Sequence, residues 1–211
     1  MGSPWLDFPA EVIEDIAAYL LSPDKRLFLG YLCSSALLAF WVFCRGGQGE
    51  SFRRYLFNQR IWWGRSAKLD YQLVAFNSVL RVLLAGQFTL YGLHIAFWTE
   101  ELLRRALGPC LFTMSEAITV LTYSAVFTVL RDLSVYLVHR LMHSIPWLWT
   151  IHSVHHSAET LSPVTLLRVH PVELVINTIR SVLVFGLLAG LFGYLSRHQV
   201  TVFTLLGVNV A

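Results

Sequence analysis

The chain has 211 residues, of which 55% are apolar and only 14% charged, with a formal net charge of +3 and a mean hydropathy of +0.57. That composition excludes an ordinary soluble domain and points to an integral membrane protein. The small positive charge calls for no nucleic acid, because the basic residues collect where membrane topology would put them.

Residues 1–25 read as an N-terminal interfacial segment. Asp7, Glu11, Glu14 and Asp15 make it acidic, and 8–21 has the pattern of a short amphipathic helix. It lacks the basic region and apolar core of a signal peptide, and Leu6 stands where a myristoylation signal wants Ser or Thr. The remainder, 26–211, is expected to be one membrane domain. A helix that crosses the roughly 30 Å hydrocarbon layer needs about 20 mostly apolar residues. The run 27–44 is uncharged and bracketed by Asp24, Lys25, Arg26 and Arg45. The loop at 45–70 carries Arg45, Arg53, Arg54, Arg60, Arg65 and Lys68 against Glu50 and Asp70, an excess that predicts a cytoplasmic loop. A second span, 71–98, contains Arg81 and is followed by a charge-balanced loop, "TEELLRRALGP". A third, 117–138, contains Arg131 and Asp132 and would return the chain to the cytoplasmic side. A fourth, 172–195, holds Glu173 and Arg180, and another apolar run begins near Val200. Charges inside spans are expensive and are expected to face a protein interior, so the spans should pack together. The expected fold is an all-α integral membrane protein, a bundle of at least four transmembrane helices with a cytoplasmic histidine-rich metal site. Cys33, Cys44 and Cys110 lack metal-type spacing and read as free buried thiols.

Between the third and fourth spans, "HRLMHSIPWLWTIHSVHH" places five of the eight histidines within residues 139–156. His139 and His143 are four apart and share a helix face, a stripe that Asp132 and Tyr136 continue toward the membrane. Ser144 and Pro146 should break or restart the helix. His152, His155 and His156 then fall at i, i+3 and i+4 and share a face again. Neutral imidazole ligates iron, copper, zinc or nickel, and a bound metal would offset the cost of crowding polar rings beside a membrane. His94 and His198 have no partner nearby in sequence and read as structural or interfacial. The tryptophans, Trp41, Trp62, Trp63, Trp98, Trp147 and Trp149 among them, mostly sit near span ends, as an aromatic belt would.

The stretch "DLSVYLVHRLMHSIPWLWTIHSVHHSAETLSPVTLLRVHPVE", residues 132–173, resembles the signature of the fatty acid hydroxylase and sterol desaturase superfamily of membrane di-iron oxygenases. The matching features are Asp132, Tyr136, the box His139 and His143, the Leu148-Trp149 pair, the box His152, His155 and His156 with Ser157, and the group Arg168, His170, Pro171 and Glu173. "WWGRSAKLDY" is a weaker match to the segment upstream of the boxes. The resemblance implies a centre of two iron ions, with dioxygen as co-substrate, that hydroxylates or desaturates a lipid: a fatty acyl chain, a sterol or a related molecule. It implies electrons from a cytochrome b5-like or ferredoxin-like carrier, and a home in a bacterial inner membrane or the endoplasmic reticulum. His139, His143, His152, His155 and His156 would be iron ligands, with Asp132 and Tyr136 hydrogen-bonded behind them. His170 would be either a further ligand or the cap of the fourth span. The family's third histidine-rich box has no counterpart before Ala211, so the reading leaves two alternatives: the chain is C-terminally incomplete, or the protein is not a complete enzyme.

Two other classes fit a histidine cluster. A zinc-dependent membrane hydrolase would need about three ligands and a general base, and the sequence lacks HExxH. A metal transporter or binding protein would hold its ligands near the bilayer midplane on broken helices, whereas these lie at a span end.

Overall fold

The structure, a computed structural model, describes residues 4–23, 25, 27–46, 51–110 and 114–196. His198, the apolar run from Val200, and Asp24 and Arg26 lie outside these residues. Among the described residues all regular structure is helical: α1 (Pro4–Leu21), α2 (Leu29–Gly46), α3 (Phe52–Leu56), α4 (Gln59–Trp63), α5 (Arg65–Leu107), α6 (Glu116–Ser144), α7 (Pro146–His156), a single 3-10 turn (Pro163–Leu167) and α8 (Pro171–Leu195). The four helices α2, α5, α6 and α8 are long and apolar enough to cross a membrane. None of α2 is buried, and Leu37 and Leu38 are 70% and 65% exposed. A helix this apolar and this exposed suits contact with lipid.

Local chemistry sets the helix ends. Ile145, before Pro146, is extended, because the proline ring disfavours the α region for its predecessor. Pro146 then opens α7 and Pro171 opens α8 at the first position, where a missing N–H costs nothing. α5 runs further than expected. The segment 99–109, read as a loop, is helical to Leu107. Glu100 and Glu101 pair with Arg104 and Arg105 one turn on, at 2.6 and 2.7 Å, so charges that looked like loop residues extend the helix. Gly108, at φ +76°, ends it by donating its N–H to the Arg104 carbonyl at 2.9 Å. At the other end, Arg65 to Asp70 belong to α5 as well, and α3 and α4 occupy much of the basic loop.

The chain divides into two compact units, one of residues 1–83 and 150–173, the other of 84–149 and 174–211. In the first, α1 packs on the N-terminal part of α5. Asp15 meets Arg81 at 3.4 Å, and the Arg81 guanidinium lies 5.2 Å from the Tyr19 ring centre. Aromatic rings join α2 to α3, with Phe40 and Phe52 centred 5.0 Å apart. The centre of this unit is polar: Asp70, Arg168, Thr165, Asn77, His152 and Glu173 are all buried.

In the second unit the core is Ala96, Tyr123, Phe185, Leu188, Ala189 and Phe192. Here α8 approaches α5 closely. A Cβ on Gly190 would lie 2.4 Å from the Ala96 carbonyl oxygen, a contact only a small residue permits. Tyr194 donates to the Gly108 carbonyl at 3.1 Å, and Arg180 to Ser134 Oγ at 2.7 Å.

Two expectations are corrected. Arg81 and Arg180 find partners, but Arg131 and Asp132 are exposed on α6, because no described segment covers that face. Of the thiols, Cys110 is buried, whereas Cys33 and Cys44 are exposed on α2.

Candidate metal centre

The last two turns of α6 carry His139 and His143. Their ring centres are 4.7 Å apart, and each offers a ring nitrogen within 4.8 Å of the other's. The His143 ring packs on Trp149 of α7, with centres 5.2 Å apart. Both histidines are exposed.

Seven of the eleven residues of α7 and the strap that follows it belong to the other unit, and there the second group gathers. His152 is 1% exposed. Its ring centre lies 5.6 Å from that of His155 and 5.0 Å from that of His156, as i, i+3 and i+4 spacing on one helix dictates. Two of the three rings are oriented by acceptors. His152 Nδ1 meets Glu173 Oε2 at 3.1 Å, and His155 Nδ1 donates to the Arg168 carbonyl at 3.1 Å. A carbonyl only accepts, so Nδ1 of His155 carries the proton and its Nε2 the lone pair; a carboxylate opposite His152 Nδ1 places the proton on that nitrogen too. Metal-bound histidines are held in this way, with the second ring nitrogen tied to a carboxylate or carbonyl.

Nε2 of His152 lies 3.2 Å from Nε2 of His156. Two nitrogens each about 2.1 Å from one ion, at angles between octahedral and tetrahedral, stand about 3.0–3.4 Å apart. The pair therefore has a chelating separation, and the donor set suits iron, zinc or copper.

The remaining site residues are placed differently. Asp132 is exposed, and the Tyr136 hydroxyl accepts from Arg140 at 3.4 Å; the carboxylate and carbonyl behind His152 and His155 are those of Glu173 and Arg168. Of the two roles open to His170, the structure displays the cap: its Nδ1 accepts from the Val172 N–H at 3.1 Å, in the first turn of α8. His94 Nδ1 bonds the Leu90 carbonyl one turn back, at 2.8 Å. Sequence reasoning missed the part Glu173 plays, although it noted the residue as a charge opening the fourth span. Asp70 was read only as an acidic residue of the basic loop, inside the weakly matching "WWGRSAKLDY". That carboxylate binds the Arg168 guanidinium, both side chains being 1% exposed, across 98 residues of sequence.

Residues 124–210 match the model of a family described as fatty acid hydroxylase. No curated protein and no solved structure matches the chain. The matched segment contains both histidine groups, the strap 157–170 and α8, so over these residues the chain is similar to the fatty acid hydroxylase family, as the histidine pattern suggests.

Proposed function

We propose that this protein is a membrane-bound lipid hydroxylase or desaturase whose five clustered histidines, His139, His143, His152, His155 and His156, hold iron. The observation that carries the reading is the second histidine group. Two of its rings have Nδ1 tied back to an acceptor, and the Nε2 atoms of His152 and His156 stand at chelating distance. A di-iron centre, when bound, supplies the means to activate dioxygen for attack on an unactivated C–H bond. Two irons want about five or six ligands each, so water, carboxylates or further histidines would complete what five imidazoles begin.

The chain's own residues supply orientation and dryness. Glu173 and the Arg168 carbonyl fix the rings of His152 and His155, leaving no rotation to be frozen when metal binds. Burial of His152 keeps bulk water from that part of the site. The apolar helices offer a setting for an acyl chain or sterol. The basic segment 52–68 contains exposed Arg53, Arg54, Arg60, Arg65 and Lys68; this favours the cytoplasmic side. The Asp70–Arg168 pair ties the end of that segment to the strap beside His155, which supports a cytoplasmic site within reach of a cytochrome b5-like or ferredoxin-like donor.

The test is turnover. A full-length version, reconstituted in lipid with ferrous iron and a reductant, is expected to consume dioxygen in proportion to an added acyl or sterol substrate, with a product heavier by one oxygen or lighter by two hydrogens in the mass spectrum. Iron-loaded protein that consumes no dioxygen and changes no lipid would favour a binding or transport role.

A further inference from the structure

Ser66, Asp70 and Asn77 lie four and seven residues apart on α5 and so form one stripe. All three are buried, and all three grip residues 165–169. Asp70 Oδ1 accepts from Arg168 Nε, and Oδ2 accepts from the Thr165 hydroxyl at 3.0 Å. The carbonyl and hydroxyl of Ser66 each accept from Arg168 Nη2 at 2.7 Å. Asn77 Nδ2 donates to the Val169 carbonyl at 2.8 Å. The third nitrogen of the guanidinium, Nη1, donates to Ser157 Oγ at 3.2 Å, directly after His156. The product of these bonds is one oriented group: the Arg168 carbonyl, which receives the proton of His155 Nδ1.

A desolvated ion pair is a poor source of net stability, since apolar residues of similar volume do as well or better. Its planar, five-donor guanidinium is well suited to fixing geometry. We propose that Asp70, with Ser66, Asn77 and Arg168, is a positioning residue for His155: the clamp holds the Arg168 carbonyl where it locks the His155 ring with Nδ1 protonated and Nε2 bare. This rests on the reading of His155 as a metal ligand, but the ring's tautomer can be observed without metal.

The experiment uses the full chain in lipid nanodiscs, labelled with ¹⁵N-histidine, with His155 assigned by difference from His155→Gln. In the metal-free wild type, Nδ1 of His155 is the protonated nitrogen. Asp70→Asn, which keeps the size and loses the charge, is expected to shift His155 toward the Nε2–H form that imidazole prefers in water. It should also weaken binding of anaerobically added Fe²⁺ about 10- to 100-fold, with unchanged helical circular dichroism. Asn77→Ala removes only one neutral hydrogen bond and decides the matter if Asp70→Asn fails to fold; a smaller shift of the same sign is expected. Folded variants with the wild-type tautomer and wild-type Fe²⁺ affinity would overturn the proposal. Wild type that binds no Fe²⁺ would instead overturn the metal reading, and the clamp would then stand or fall on the tautomer alone.

Discussion

The two units of the chain solve the problem of holding membrane-length helices by opposite means. Around residues 84–149 and 174–211 the joint between α5 and α8 is apolar and close, made by Gly186 and Gly190 against Ile95, Ala96 and Thr99. Around 1–83 and 150–173 the joint is polar, made by Asp70, Arg168, Ser66, Thr165 and Asn77. In lipid, where apolar burial between helices gains little, close van der Waals packing of small residues is the cheaper way to hold a span. Hydrogen bonds cost desolvation but fix direction. The directional joint is the one that lies beside His152 and His155, and the packed joint is the one that builds the core.

If that division is right, changes in the two regions should fail differently. The largest effect is expected at the histidines: in a full-length version, His155→Ala, or His143→Ala, should abolish lipid oxidation and lower bound iron, because the loss of one ligand leaves an unfilled coordination position. Near-normal turnover in either variant would remove that residue from the ligand set. Next comes Gly190→Leu, whose side chain would collide with the Ala96 backbone; overpacking of this kind costs about 1–3 kcal/mol or more. It should lower the thermal midpoint measured in detergent, and an unchanged midpoint would show that α8 does not sit this close to α5.

Glu173→Gln is a subtler probe. It keeps an acceptor for His152 Nδ1 and loses only the charge, so helicity should hold while metal affinity falls about 10-fold, the lower end of the range for such partners. Titration with Fe²⁺ checks this, and equal affinities would make Glu173 a packing residue. The smallest effects belong to the histidines outside the two groups. His170→Ala removes a helix cap worth about 1 kcal/mol and should leave metal content unchanged; His94→Ala should change neither stability nor metal. A loss of iron in His170→Ala would add that residue to the ligands.

How far the sequence reached follows from which forces are local. Spans are legible because bilayer thickness demands a run of apolar residues, and the helix break before Pro146 because a proline acts on its immediate neighbour. The histidine groups are legible for the same reason: spacings of three and four define a face within one helix. Charged helix ends are less so. Glu100, Glu101, Arg104 and Arg105 look like a loop in a hydropathy reading and like a helix only when their i, i+4 pairing is considered. Gly186 and Gly190 offered a small-residue spacing that hydropathy alone passes over. The Asp70–Arg168 pair was out of reach, because nothing local connects a carboxylate in a basic segment to an arginine 98 residues later. The acceptors of His152 and His155 come from α8 and from the strap, beyond the reach of a spacing rule within one helix.

The central claim is that the clustered histidines are an iron site and not a structural or interfacial group of rings. Elemental analysis of the chain, purified anaerobically with ferrous iron in the presence of equimolar zinc, tests this most directly when run beside a variant in which His152, His155 and His156 are all alanine. Iron in the wild type should survive extensive dialysis and be lost from the variant, with both proteins equally helical. Equal metal content in the two proteins, or none in either, would contradict the claim.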